Sequence, residues 1–193
     1  DNGGTALIEA GDAAVRELYV GATGEGTVLQ TGGTLGGQWL YLGQQAGSTG
    51  AYELGANATL WTNEAVVGSE GVGSFLQTGG TYTGWRIHIG SAPGTESVYE
   101  LRDGVMEVYS RNVGAGKDYN GRFVQTGGTL SGGYLDVISG GSGSAVYEMN
   151  AGTAEIESLF VYGQGEARVT QRGGSIALSY DLRIAHGPSV DGE

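Results

Sequence analysis

One motif returns four times along this chain: Val28-Leu-Gln-Thr-Gly-Gly33, Phe75-Leu-Gln-Thr-Gly-Gly80, Phe123-Val-Gln-Thr-Gly-Gly128 and Val169-Thr-Gln-Arg-Gly-Gly174. A second motif falls between the copies as Ala51-Tyr-Glu-Leu54, Val98-Tyr-Glu-Leu101 and Val146-Tyr-Glu-Met149, and a degenerate version, Ala6-Leu-Ile-Glu9, lies near the start. Aligned on the small residues that follow, both motifs share one column: Glu9, Gln30, Leu54, Gln77, Leu101, Gln125, Met149 and Gln171. Neighbours in that column stand 21 to 24 residues apart. Most units also carry a second apolar stretch ending in or near Gly, as in Leu18-Tyr-Val-Gly21, Leu40-Tyr-Leu-Gly43 and Ile87-His-Ile-Gly90.

A unit of about 23 residues is too short to bury its own apolar face, and stacked units solve this by sharing one core. Within each unit the runs are short, alternating and rich in Val, Ile, Leu, Tyr and Phe, with Gly, Ser, Asn and Thr between them; that pattern reads as strands and turns. The expected fold is therefore an all-β, right-handed parallel β-solenoid of about eight coils, the hand following from the rule for parallel crossovers. It forms one domain over residues 1–193, with units at 1–24, 25–47, 48–71, 72–94, 95–119, 120–142, 143–165 and 166–193. A four-bladed β-propeller with doubled units is the rival, disfavoured because the half-units already resemble each other. Composition removes other classes. Forty Gly without a period of three, beside two Pro, is not collagen. A net charge of −12 speaks against a nucleic-acid partner, and the absence of Cys removes disulfides and thiolate metal sites. No apolar run is long enough for a membrane-spanning helix. No cofactor or metal is expected.

Strand alternation assigns the faces. Val28, Tyr52, Phe75, Tyr99, Phe123, Tyr147 and Val169 form an inward column, and two residues on lies a second, the structural ladder Gln30, Leu54, Gln77, Leu101, Gln125, Met149 and Gln171. The inward Gln residues need partners, which the adjoining Thr-Gly-Gly corner supplies; Gly in those corners provides positive φ. Between the two columns, Glu53, Glu100 and Glu148 point outward on every second coil.

These residues resemble a known type of repeat. Alternating G-T-F-x-Q-S-G-G-T and G-T-Y-x-L-S-G-G units followed by L-Y-V-G occur in large bacterial surface proteins similar to autotransporter passengers or to PEP-CTERM-associated repeat proteins. The match rests on Phe75-Leu-Gln-Thr-Gly-Gly80, Phe123-Val-Gln-Thr-Gly-Gly128, Tyr52-Glu-Leu54, Tyr99-Glu-Leu101 and Leu18-Tyr-Val-Gly21, and it covers nearly the whole chain. The resemblance implies an extracellular or cell-surface protein that is structural or adhesive rather than enzymatic.

The outward residues of the second strand are the candidates for function. Coil by coil they are Tyr19, Tyr41, Val66, His88, Asn112, Asp136, Phe160 and Arg183; two places earlier stand Glu17, Trp39, Glu64, Arg86, Ser110, Tyr134, Ser158 and Asp181. Exposed aromatics anchor glycans or partner proteins. The proposed binding face is thus Tyr19, Trp39, Tyr41, Arg86, His88, Tyr134, Asp136 and Phe160. His88, Asn112 and Asp136 would stack as a possible acid–base row of a glycan-cleaving β-helix, although this register turns Arg111 inward and no close carboxylate cluster accompanies it. Gly140-Gly-Ser-Gly-Ser-Ala145 begins like a calcium-binding repeat but lacks its Asp. Gly114-Ala-Gly-Lys117 matches a phosphate loop imperfectly, and Asn57-Ala-Thr59 has the form of a glycosylation sequon. The Thr31, Thr78, Thr126 and Thr34, Thr81, Thr129 columns suggest ice binding, but only on alternate coils. The reading taken forward is a structural module of a surface layer, fibre or adhesin. It associates end to end, or with neighbouring coils of a longer chain, because neither end carries a capping unit; the alternative is carbohydrate binding through the aromatic face.

Overall fold

The computed structural model describes residues 3–114 and 118–186. Its strands are β1 (Gly4–Ile8), β2 (Asp12–Val20), β3 (Glu25–Leu42), β4 (Thr49–Val67), β5 (Val72–Ile89), β6 (Glu96–Val113), β7 (Asn120–Gln125), β8 (Thr129–Ser139), β9 (Ser144–Met149), β10 (Thr153–Gly163), β11 (Glu166–Gln171) and β12 (Ser175–His186). All named strands pair in parallel. One arm of every coil stacks in the order β1-β3-β4-β5-β6-β7-β9-β11; the other runs β2, β3, β4, β5, β6, β8, β10, β12. The described residues form a β-solenoid of about seven turns. Strands β3 to β6 run through both arms, bent where the pairing slips.

The ladder assigned from sequence is the observed register from Gln30 to Gln171. The first rung differs. Ile8, not Glu9, pairs with Gln30, so Ala6 stands opposite Val28. Burial explains this: an apolar Ile fits an inward column and a carboxylate does not.

Tyr52, Phe75, Tyr99, Phe123 and Tyr147 are all buried and lie one coil apart. Gln30, Gln77 and Gln125 each tie their own coil to the next. Gln77 Nε2 donates to Gly80 O at 3.3 Å within its coil and to Val105 O at 2.9 Å in the following one. Gln125 does the same with Gly128 O and Thr153 O, at 3.3 and 2.9 Å, and Gln30 with Gly33 O and Thr59 O. The next coil's Tyr then donates its hydroxyl to the Gln Oε1: Tyr52 to Gln30, Tyr99 to Gln77, and Tyr147 to Gln125 at 2.7 Å. A Tyr in the core thus finds an acceptor, and a Gln in the core makes three bonds.

Glycine closes the corners in two ways. Gly80, the second Gly of its pair, has φ 63°, whereas a Cβ on Gly79 would meet the Ala56 Cα at 2.6 Å. One Gly supplies the turn and the other the close approach. A small-residue column at the other corner, Gly4, Gly26, Gly50, Gly73, Ser97, Gly121, Ala145 and Ala167, stacks in register. On Gly50 a Cβ would lie 2.1 Å from Val20 O. Ser97 is the polar member, and its Oγ accepts the Gly73 N–H at 3.1 Å.

Arg111 points inward, as the register required, and is fully buried. Its Nη1 donates to Tyr134 O at 3.1 Å and its Nη2 to Ser131 O, while Nε has no hydrogen-bond partner among the described residues. Burial lowers its pKa to about 10, so it remains charged at neutral pH. Gly132, whose absent Cβ would sit 3.2 Å from Nη2, makes the room.

Candidate functional site

Both second-arm columns occur in the register read from sequence, but two members expected to face outward, Val66 and Ser158, are buried. They do not form one uniform face. At the first two coils Tyr19 stacks on Tyr41, ring centroids 5.2 Å apart and 10° from parallel, and Trp39 lies parallel to Tyr41 at 6.2 Å. The Tyr19 hydroxyl donates to Glu17 at 2.7 Å.

The middle coils are polar. His88 Nε2 stands 3.6 Å from Glu64 Oε1, and burial holds its pKa below the ordinary imidazole value against the opposing pull of Glu64. Arg86 lies exposed on the same strand. Asn112 Nδ2 donates to Ser110 Oγ at 3.3 Å. Partial burial raises the Asp136 pKa. His88, Asn112 and Asp136 occupy successive rungs, but no hydrogen bond joins the three among the described residues. The row has the stacking of an acid–base site without its connections.

Beside these polar residues, on β5, β6, β8 and β10, runs a second aromatic row that the sequence reading captured only in part. Trp85 stacks on Tyr109 with centroids 4.5 Å apart and 13° between planes. Tyr109 meets Tyr134 edge-on at 5.3 Å, Tyr134 lies 6.1 Å from Phe160, and the Arg183 guanidinium sits 5.4 Å above the Phe160 ring. Trp85 is 55% exposed and Tyr109 38%. Both stand at the bend of the second arm, where the alternation shifts by one, and a two-residue period therefore skips them. Gly residues in neighbouring coils were the available signal: a Cβ on Gly133 would come within 3.0 Å of the Tyr109 ring, and one on Gly36 would overlap Trp61, also exposed.

The geometry limits what the rows can bind. Stacked rings use their faces on each other and offer solvent mainly their rims, whereas a sugar packs on an open face. Trp85 heads its row and has the largest exposure in it.

The remaining candidates resolve as local structure. Gly140–Ser144 form a turn in which Gly143 N donates to Gly140 O and Ser139 Oγ donates to Gly143 O. The phosphate-loop match at 114–117 falls mainly outside the described residues. Thr31 and Thr78 turn their hydroxyls onto carbonyls of the preceding coil, Ile8 O and Leu54 O. The second Thr column is denser than alternate coils, since Thr59 and Thr153 join Thr34, Thr81 and Thr129, but Val105 interrupts it. On the outer first arm, Glu148 gathers Arg122 at 2.8 Å, Arg168 at 3.5 Å and Arg172 at 3.9 Å, and the Arg122 hydrogen bond holds its carboxylate below the usual range.

No protein-family model, curated protein or solved structure matches this chain in the comparisons made.

Proposed function

We propose that the chain is a structural β-solenoid module of an extracellular surface layer, fibre or adhesin, lengthened end-on by further coils. The observation that carries this reading is the edge of the last described coil. Among the described residues β11 pairs only with β9 and β12 only with β10, and Leu182 and Ile184, at core-column positions, are 57% and 74% exposed. Unpaired strand edges with exposed core side chains are seats for more strand. The extracellular placement is supported by the motif resemblance. The test is to append a copy of residues 140–163 directly after His186, where the loop length places the added coil over β11 and β12. Ordered addition lengthens the rod by about 5 Å in solution scattering and raises Tm; an appended segment that stays unstructured, with Tm unchanged, overturns the reading.

A second reading, glycan or protein binding, is favoured by Trp85, the open end of an aromatic row. It predicts specific signals on a glycan array that vanish in Trp85→Ala; an array without signal removes it.

A further inference from the structure

Among the described residues, the last Gln of the polar ladder differs from the three before it. Gln30, Gln77 and Gln125 each make one bond within their own turn and two to the coil that follows. Gln171 makes only the first, from Nε2 to Gly174 O at 3.1 Å. Its Oε1 and its second amide hydrogen have no partner among the described residues. Beside it Val169, Ile176, Leu178, Leu182 and Ile184 line a concavity of ≈ 340 Å³ whose far wall includes Leu159. The last described coil therefore offers a shaped apolar seat together with one directed acceptor and one directed donor.

We propose that this end is a docking seat for one kind of partner: a repeat coil bearing Tyr over Val169 and Leu or Met over Gln171. The inference rests on the structural reading above and adds the identity of the occupant. Three observed junctions define the fit, since Tyr52, Tyr99 and Tyr147 all deliver a hydroxyl to the Gln beneath them. In each, the second arm of the same coil presents a carbonyl to the Gln Nε2: Thr59, Val105 or Thr153. The smaller Val169 is no obstacle, because Tyr52 already sits over Val28. The first coil of a second copy of this chain fits less well. Ala6 holds the Tyr place and Ile8 the Leu place, so Gln171 Oε1 would be buried without a donor, the costly case for a polar group.

The experiment uses the full chain with residues 140–163 appended after His186, in three forms: the unaltered copy, the copy carrying Tyr147→Phe, and a copy of residues 3–20 joined by a Gln-Gly link. The Tyr coil raises Tm most and slows amide exchange in β11 and β12. The Phe copy melts roughly 2–4 °C lower, with exchange at that edge about tenfold faster, the loss of one buried hydrogen bond. The first-coil copy gains less than the unaltered Tyr coil. Gln171→Leu leaves the unextended chain within about 1 °C but lowers Tm of the Tyr-extended chain by more than the Phe change does, since it removes both bonds to the added coil as well as the one to Gly174 O. Equal stability of the Tyr and Phe copies, or a first-coil copy matching the Tyr coil, overturns the inference while leaving end-on extension intact. Failure of every copy to order overturns both.

Discussion

The inner and outer aromatic columns have the same spacing and different consequences. Inside, Tyr52–Phe75, Phe75–Tyr99 and Phe123–Tyr147 stand 5.1, 4.6 and 5.1 Å apart. Outside, Tyr19–Tyr41 and Trp85–Tyr109 stand 5.2 and 4.5 Å apart. Both distances follow from the rise of a coil, roughly 4.8 Å between paired strands, which brings any two rings in register into contact. Contact distance is therefore no measure of stabilisation here. The inner rings lose nearly all contact with water, and Tyr52, Tyr99 and Tyr147 among them anchor their hydroxyls on Gln; the outer rings keep wet rims. Stacking adds about 0.5–1.5 kcal/mol to either, whereas removal of a whole ring from water is worth more.

Substitutions sharpen the contrast. Phe123→Ala opens a cavity between Tyr99 and Tyr147 and should cost about 3–5 kcal/mol in chemical denaturation; a loss near 1 kcal/mol would mean the inner column is no better packed than the outer. Gln125→Leu installs the residue native to alternate coils, yet it strands the Tyr147 hydroxyl and the Gly128 and Thr153 carbonyls. About 2–3 kcal/mol is expected, and a neutral result would show that the apolar column alone carries the coil. On the outside, Trp85→Ala should cost no more than about 1 kcal/mol, because the ring is 55% exposed and its stacking is on Tyr109.

The smallest effect is pH dependence at His88. Its pKa is depressed in the fold by burial, so the unfolded chain binds the proton more readily. Stability is present above pH about 6.5 and declines as pH falls through the depressed value. Comparing Tm at pH 7.5 and 5.5 for the parent and His88→Gln isolates the term; an unchanged pH slope in the variant removes His88 as its source.

Legibility followed how often a feature repeats. The Gln-type and Tyr-type units recur with the same local order, so their pairing from Gln30 to Gln171 and the register of the two second-arm columns are legible in the sequence alone, whereas the burial of Val66 and Ser158 within those columns is not. Glu9 was misplaced because the first unit lacks the Thr-Gly-Gly landmark, leaving only the polarity of Ile8 against Glu9 to decide. Trp85 and Tyr109 escaped because they stand where the two-residue period breaks. The Tyr–Gln bonds were also hidden: the sequence puts both residues inside, but only the stacking of one coil on the next shows that the hydroxyl of one meets the amide of the other.

That bond makes the rod a series of doublets under load. A Gln coil and the Tyr coil after it share side-chain hydrogen bonds, while a Tyr coil and the next Gln coil meet at this column through apolar contact and backbone pairing alone. Pulled along the chain, such a rod peels more readily between doublets than within them. Gln30 and Gln77 are 47 residues apart, so one doublet releases roughly 150–170 Å of extended chain at 3.3–3.6 Å per residue. The alternation that serves as cross-bracing at rest thereby becomes the step length of the chain's elastic yield.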